Sequence, residues 1–256
     1  MPTIAFTNQK GGVGKTTSAI SVAAELAAAG NSTLLVDLDP QGNASSGLGL
    51  SKDGPGSYEL LMRDGVLKDL VQSTSVPGLD AVTGGEHLAG AEVELADAEG
   101  RYVRLARALS EHPYRYVIVD CPPALGFLSL NALVGARFVM IPVQCEYYAL
   151  EGLSSLFEIL RKVKKSLNPE LELLGVFITM YDKRLRLAAQ VRSEVAKHFP
   201  NQSFETVVPR TVRLAEAPSY GEPIGRFDVK STGAKAYQQL AKEVHERIEA
   251  RSWQRA

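Results

Sequence analysis

A doubly wound α/β fold, with a mainly parallel sheet and helices on both of its faces, is what three observations on this sequence predict. Short β-branched runs alternate with longer stretches of helical apolar spacing, the pattern of strands joined by crossover helices. The chain has 256 residues, 45% of them hydrophobic, with 22 Gly and 13 Pro, which suits one large globular domain over residues 1–256 with a sizeable core. A glycine-rich turn stands between the first strand and an Ala-rich helix.

The first strand is expected at residues 3–7, a short apolar run ending at the turn, and the first helix at 16–29, where Ala, Ile, Val and Leu repeat at helical spacing. A second strand follows at 33–37. The Gly- and Ser-rich stretch 41–56 leaves that strand and reads as a mobile loop beside a site rather than a domain boundary. Strands at 79–82, 116–120, 138–143 and 173–179 are nearly continuous apolar runs, as strands buried on both faces are. Residues 207–208 begin a further strand. Between these runs, periodic apolar positions predict helices at 92–110, 128–134, 150–167, 187–199 and 231–250. No internal repeat and no linker-like tract interrupts the series.

Composition excludes several classes. No apolar run reaches the length of a membrane span and no leader pattern precedes the first strand, so a cytoplasmic protein is expected. Cys121 and Cys145 lack the spacing of a disulfide framework or a zinc site and are expected to be reduced thiols. His87, His112, His198 and His245 are scattered without ligand spacing. The net charge is −1, yet residues 1–160 hold 10 Lys and Arg against 18 Asp and Glu, whereas residues 161–256 hold 18 against 11. Such a basic second part is either a set of solvated helix faces or a surface for nucleic acid.

The sharpest chemistry lies in Lys10-Gly11-Gly12-Val13-Gly14-Lys15-Thr16-Thr17. Glycines let the backbone curl so that successive N–H groups face phosphate oxygens, and the following helix adds the positive end of its dipole. Lys15 is placed to reach the β- and γ-phosphates and the Thr16 hydroxyl to ligate Mg²⁺. A purely structural glycine turn gives no reason for a Lys-Thr pair directly after it. Two acids, Asp39 and Asp120, leave the ends of the second and fourth predicted strands, where open α/β sheets bind ligands. Asp120 fits the role of a magnesium-holding carboxylate, directly or through water, and Asp39 that of orienting the attacking water. Taken singly, each is as readily a strand-ending residue.

These motifs resemble those of the ParA/Soj chromosome and plasmid partition ATPases, P-loop NTPases of the deviant Walker A kind within the ParA/MinD superfamily. The resemblance covers nearly the whole chain. It rests on the glycine turn, on Asp37-Leu38-Asp39-Pro40-Gln41-Gly42-Asn43 and on Asp120-Cys121-Pro122-Pro123. Three further segments look specific to the partition branch: residues 142–152, from Pro142 through Tyr147, Tyr148 and Gly152; Thr179-Met180-Tyr181-Asp182; and residues 209–218, which open Pro209-Arg210-Thr211-Val212-Arg213.

The resemblance implies roles. Lys10 would cross to a partner subunit's ATP, so that MgATP joins two copies of the chain; Lys10, Lys15 and Asp39 would be the catalytic residues and Thr16, Asp39 and Asp120 the magnesium set. Residues 40–43 and 121–126 would be switches sensing the γ-phosphate. Met180, Pro209, Arg210 and Thr211 would wall the adenine pocket. Nonspecific double-stranded DNA would be held on the ATP dimer by Arg184 and Arg213, with Arg186, Arg210, Arg226 and Lys230 extending the patch. A ParB-type centromere-binding protein would stimulate slow hydrolysis and release the DNA, leaving the protein cytoplasmic and associated with the nucleoid.

Three rivals are weighed against this reading. A MinD-like membrane-surface ATPase needs a terminal amphipathic helix, but the apolar positions Ala234, Tyr237, Leu240, Ala241, Val244 and Ile248 more often mean core, and the tail 251–256 has one Trp and two Arg. A redox or synthetase enzyme on this scaffold is disfavoured by the context of its two cysteines. A nucleotide-binding scaffold without turnover would be separated by phosphate release with DNA and partner. The chain begins at its first strand, so the short chromosomal form, without an N-terminal helix-turn-helix, is expected.

Overall fold

The protein is seen in a computed structural model that describes residues 2–63, 65–146 and 149–253. The motif residues Tyr147 and Tyr148 and the tail residues 254–256 lie outside the described residues.

The strands are β1 (Thr3–Phe6), β2 (Thr33–Asp37), β3 (Gln72–Ser73), β4 (Leu79–Val82), β5 (Tyr116–Asp120), β6 (Phe138–Gln144), β7 (Glu172–Tyr181) and β8 (Ser203–Pro209). The helices are α1 (Lys15–Ala28), α2 (Asn43–Gly47), α3 (Ser57–Met62), α4 (Leu67–Leu70), α5 (His87–Glu94), α6 (Arg104–Ala108), α7 (Phe127–Gly135), α8 (Ala149–Ser166), α9 (Arg186–His198), α10 (Val212–Glu216), α11 (Ile224–Phe227) and α12 (Thr232–Trp253). The eight strands form one sheet in the order β3-β4-β2-β5-β1-β6-β7-β8. Every pairing is parallel except that of β3 with β4.

Alternation along each strand sends side chains to two cores. In β1, Ile4 and Phe6 join one cluster with α1 and α12, while Ala5 joins the other with α7 and α8. All residues of β1, β2 and β5 are buried, which is why these strands read as unbroken apolar runs. The stripe Ala234, Tyr237, Leu240, Ala241, Val244 and Ile248 of α12 is buried in the α1 cluster; its apolar face is spent on the core.

Three expectations need correction. The helix expected at 92–110 is two helices, α5 and α6, joined by a 3-10 turn at Leu95–Asp97, after which Ala98 turns extended at φ −78 and ψ 136, and by a loop in which Gly100 has φ 63. The 41–56 loop contains α2 and is held from below by Asp37. The edge strand β8 starts at Ser203, so residues 207–208 lie near its end rather than at its start, its half-buried positions having masked the apolar pattern. The short α3, α4 and β3 carried too few periodic residues to be read.

Candidate functional site

The ends of β1, β2, β5, β6 and β7 converge where the chain turns into α1. Gly14 stands at the N-terminus of α1 with φ 87, and no side chain caps the helix, so its first-turn amides and positive dipole end face outward from the sheet. Gly12 also has positive φ, 73. Glycine is needed at both positions because a Cβ is disfavoured there.

The turn is tied at several points. The Asn8 side chain donates to the Pro142 carbonyl at 2.7 Å and accepts from the Lys10 N–H at 3.0 Å. The Lys15 ammonium curls back to the Lys10 carbonyl at 3.3 Å. The Thr179 hydroxyl donates to the Val13 carbonyl at 2.8 Å. Lys15 is buried, and that burial pulls its pKa down, opposed by the charges of Asp120, Cys121 and Asp39. Lys10 is exposed and its ammonium is engaged by Glu146.

The carboxylates sort themselves by their partners. Asp37 and Asp120 are register neighbours on β2 and β5. Asp37 accepts from the Ser45 hydroxyl at 2.7 Å, the Ser45 N–H at 2.9 Å and the Asp39 N–H at 3.0 Å. It thereby anchors α2 and aims the start of the loop that carries Asp39. Burial pushes its carboxyl up, and the Ser45 bonds oppose the rise. Asp39 accepts from the Gln41 N–H at 2.9 Å and is buried.

Asp120 is different: it is wholly buried and neither carboxylate oxygen has a hydrogen-bond partner. Burial raises its pKa well above the usual carboxylate range and Asp37 adds to the rise, while the Thr16 hydroxyl, near but out of hydrogen-bonding geometry, and Lys15 oppose it. A buried carboxylate with both oxygens bare, facing a threonine hydroxyl at the mouth of a glycine turn, fits a hard, oxygen-seeking cation such as Mg²⁺. Cys121, next to it, is fully buried and its thiol is pushed up by that burial. Cys145 is half-buried and lifted to about 11; both are free thiols.

The expected switch at 121–126 leads into α7, whose open N-terminus is capped from another helix: Glu92 of α5 accepts from the Phe127 and Leu128 N–H groups at 2.8 and 3.0 Å. The sequence carries no signal for Glu92 or for Asn8 in the site, because their partners Phe127 and Pro142 lie 35 and 134 residues away; Asp37 and Thr179 stand in the motifs, but what they bind is not visible there. Met180 has φ 51, alone among the described non-glycine residues in positive φ, and Pro209 pairs with Tyr181 across β7 and β8. The Arg210 N–H donates to the Tyr181 carbonyl at 3.0 Å and the Thr211 hydroxyl caps α10, so the expected adenine-wall residues share one sheet edge.

The basic residues divide. Arg184 is bound by Asp182 through Nε and Nη2 at 2.9 and 2.6 Å, and this bonding holds Asp182 down at about 2. Arg210 lies close enough to add to that effect. Arg213 is flanked by Glu216 at 3.0 Å and Asp228 at 3.2 Å and covers the Phe227 ring. Arg186 and Lys230 are exposed. The Arg226 guanidinium turns away to the Ser75 carbonyl in the turn before β4, and no contact joins it to the Arg184 and Arg210 group among the described residues.

Comparison with known proteins gives a consistent picture. Residues 1–173 match the family described as AAA domain. The chain is 51% identical to the sporulation initiation inhibitor protein Soj of Bacillus subtilis, covering 94% of this chain and 97% of that one. It is 50% identical to the chromosome partitioning protein ParA of Myxococcus xanthus, covering 95% and 88%. Among solved structures, a cobyrinic acid a,c-diamide synthase from Mycobacterium smegmatis with bound ADP and magnesium matches with a TM-score of 0.83 at 35% identity, covering 94% of this chain and 93% of that one.

Proposed function

We propose, for a chain that belongs to the Soj/ParA family of chromosome-partitioning ATPases, that MgATP bound at the glycine turn joins two copies and creates a nonspecific DNA-binding surface that hydrolysis dissolves. The observation that carries the reading is Asp120, whose two bare, buried oxygens face Thr16 beside the uncapped start of α1.

In this reading the amides of residues 11–17 and the Lys15 ammonium hold the phosphates, as a helix N-terminus and a cation do for any anion. Thr16 and Asp120 hold Mg²⁺, with Asp39 beside them, and the ion neutralises phosphate charge. Asp39, oriented through its own N–H by Asp37, positions the attacking water. Lys10 exchanges Glu146 for the partner subunit's phosphates, so nucleotide gives the dimer an affinity the free protomer lacks. Met180, Pro209, Arg210 and Thr211 border the base.

Residues 1–256 act as one domain. Arg184, Arg186, Arg210, Arg213 and Lys230 are doubled on the dimer, and two linked sets of phosphate contacts bind DNA far more tightly than one. Arg226 extends the patch only by giving up Ser75. A ParB-type protein stimulates turnover, and the protein works in the cytoplasm on the nucleoid. Soj- and ParA-named relatives near 50% identity over nearly the whole chain favour partition over the synthase activity named for the 35% relative. Burial of the α12 stripe favours it over a membrane-surface role; among the described residues no helix is long and apolar enough to cross a membrane.

The test is DNA retention at low salt with ATP, with ADP and without nucleotide, alongside mass measurement by light scattering. Dimer mass and DNA retention with MgATP alone are expected. Equal retention in all three conditions, or a monomer throughout, refutes the switch.

A further inference from the structure

We infer that Thr179 is a positioning residue for the phosphate turn: it fixes the Val13–Gly14 peptide so that the Gly14 N–H is aimed at the nucleotide. The inference rests on the nucleotide-binding reading of the turn and adds to it a residue from a strand 166 positions away.

In a trans peptide the carbonyl of Val13 and the N–H of Gly14 point in opposite directions, so fixing one fixes the other. The Thr179 hydroxyl holds the Val13 carbonyl at 2.8 Å, and no hydrogen bond among the described residues occupies the Gly14 N–H. Thr179 is buried and its methyl lies 3.8 Å from where a Cβ on Gly14 would sit, so contact and hydrogen bond restrain the same peptide.

The strand end is shaped for this contact. Between the pairs Ile178 with Val207 and Tyr181 with Pro209, β7 carries one more residue than β8, and the extra residue falls beside Thr179. Such bulges re-aim side chains next to functional sites. Met180, the next residue, takes φ 51, a conformation that an unbranched side chain adopts only at an energetic cost. A glycine turn left to itself samples many orientations, and ordering it on binding would subtract from affinity. A turn already oriented binds without that loss.

The experiment uses Thr179→Val, which keeps the shape and removes the hydroxyl, and Thr179→Ser, which keeps the hydroxyl. Binding of fluorescent ATP and ADP analogues with Mg²⁺, steady-state KM and kcat, and the nucleotide-free Tm are measured for both and for the parent protein. Thr179→Val is expected to weaken both nucleotides about five- to tenfold, the effect of one buried hydrogen bond, raising KM while kcat at saturation holds within about twofold. Thr179→Ser is expected to bind within about twofold of the parent. Parent-like binding by Thr179→Val overturns the inference, as does Thr179→Ser binding as weakly as Thr179→Val; should Thr179→Val not fold, Thr179→Ala takes its place, and parent-like binding by it overturns the inference while weakened binding beside an unaffected Thr179→Ser supports it. A parent protein that binds neither nucleotide overturns the nucleotide reading itself, a result distinct from equal binding by parent and variants.

Discussion

Replacing Asp120 by Asn should make the nucleotide-free protein more stable while removing its response to magnesium. The carboxylate is fully buried beside Asp37, its register neighbour, and neither oxygen is bonded. An unsatisfied buried polar group costs about 1–3 kcal/mol, and more when charged. Asparagine keeps the shape, removes the charge and offers two donors to a site already holding Asp37 and Asp39. At about 2.1 cal/mol/K per residue the entropy of unfolding of a chain this long is about 0.5 kcal/mol/K, so relief of ~1–3 kcal/mol raises Tm by roughly 2–6 °C. The parent protein, with ATP at about 100 times its Kd, gains ~2.7 kcal/mol, or roughly 5 °C, and the variant should lose the magnesium-dependent part of that gain. Thermal unfolding with and without nucleotide, in Mg²⁺ and in EDTA, measures both effects. A nucleotide-free Tm at or below the parent's would show that the carboxyl group is not an unmet polar group and would remove the main support for its role at the metal.

Other perturbations separate the parts of the site. Asp39→Ala should bind MgATP yet hold the dimer on DNA by stopping turnover; normal phosphate release from this variant would reassign the hydrolysis residue. Arg213→Glu should keep ATPase activity and dimerisation while losing DNA retention in a low-salt shift assay, and Arg213→Ala, which avoids repulsion with Glu216 and Asp228, should show the same loss in milder form. Tyr237→Phe removes the buried 2.8 Å bond to Ser18 between α12 and α1 and should cost about 1 kcal/mol in a urea titration. Asp182 is depressed to about 2 by Arg184, so the pairing is complete above the ordinary carboxylate pKa near 4 and is lost as pH falls through about 2. Carbon-detected NMR titration of Asp182 should show this, and an ordinary midpoint would mean that Arg184 is unpaired in solution.

Parts of the site that occupy adjacent residues were legible because their chemistry needs fixed local spacing. The turn at 10–17 announces phosphate binding through glycines followed by Lys and Thr, whatever the rest of the chain does. The six strands away from the β3 and β8 edges were legible for a related reason: burial on both faces favours nearly continuous apolar runs. The false continuity of 92–110 came from helical spacing that persists on both sides of the Leu95–Asp97 turn, where Ala98 turns extended without any Gly or Pro to announce it. Glu92 was read as one more helical residue, yet its carboxylate closes the N-terminus of α7.

The sequence by itself determined the fold class, the family and the place of the glycine turn, since periodicity and contiguous motifs are properties of neighbouring residues. Only the tertiary structure decided which carboxylate is satisfied and which is bare. Asp37 and Asp120 look alike in one dimension, each ending an apolar strand, and they differ because Ser45 hydrogen-bonds one while no hydrogen bond is made to the other. The same holds for Thr179, whose motif does not say that its hydroxyl reaches the Val13 carbonyl until the sheet lays the end of β7 beside the turn after β1. Hydrogen bonds and charge burial depend on distances in space, and sheet register, not sequence spacing, sets those distances.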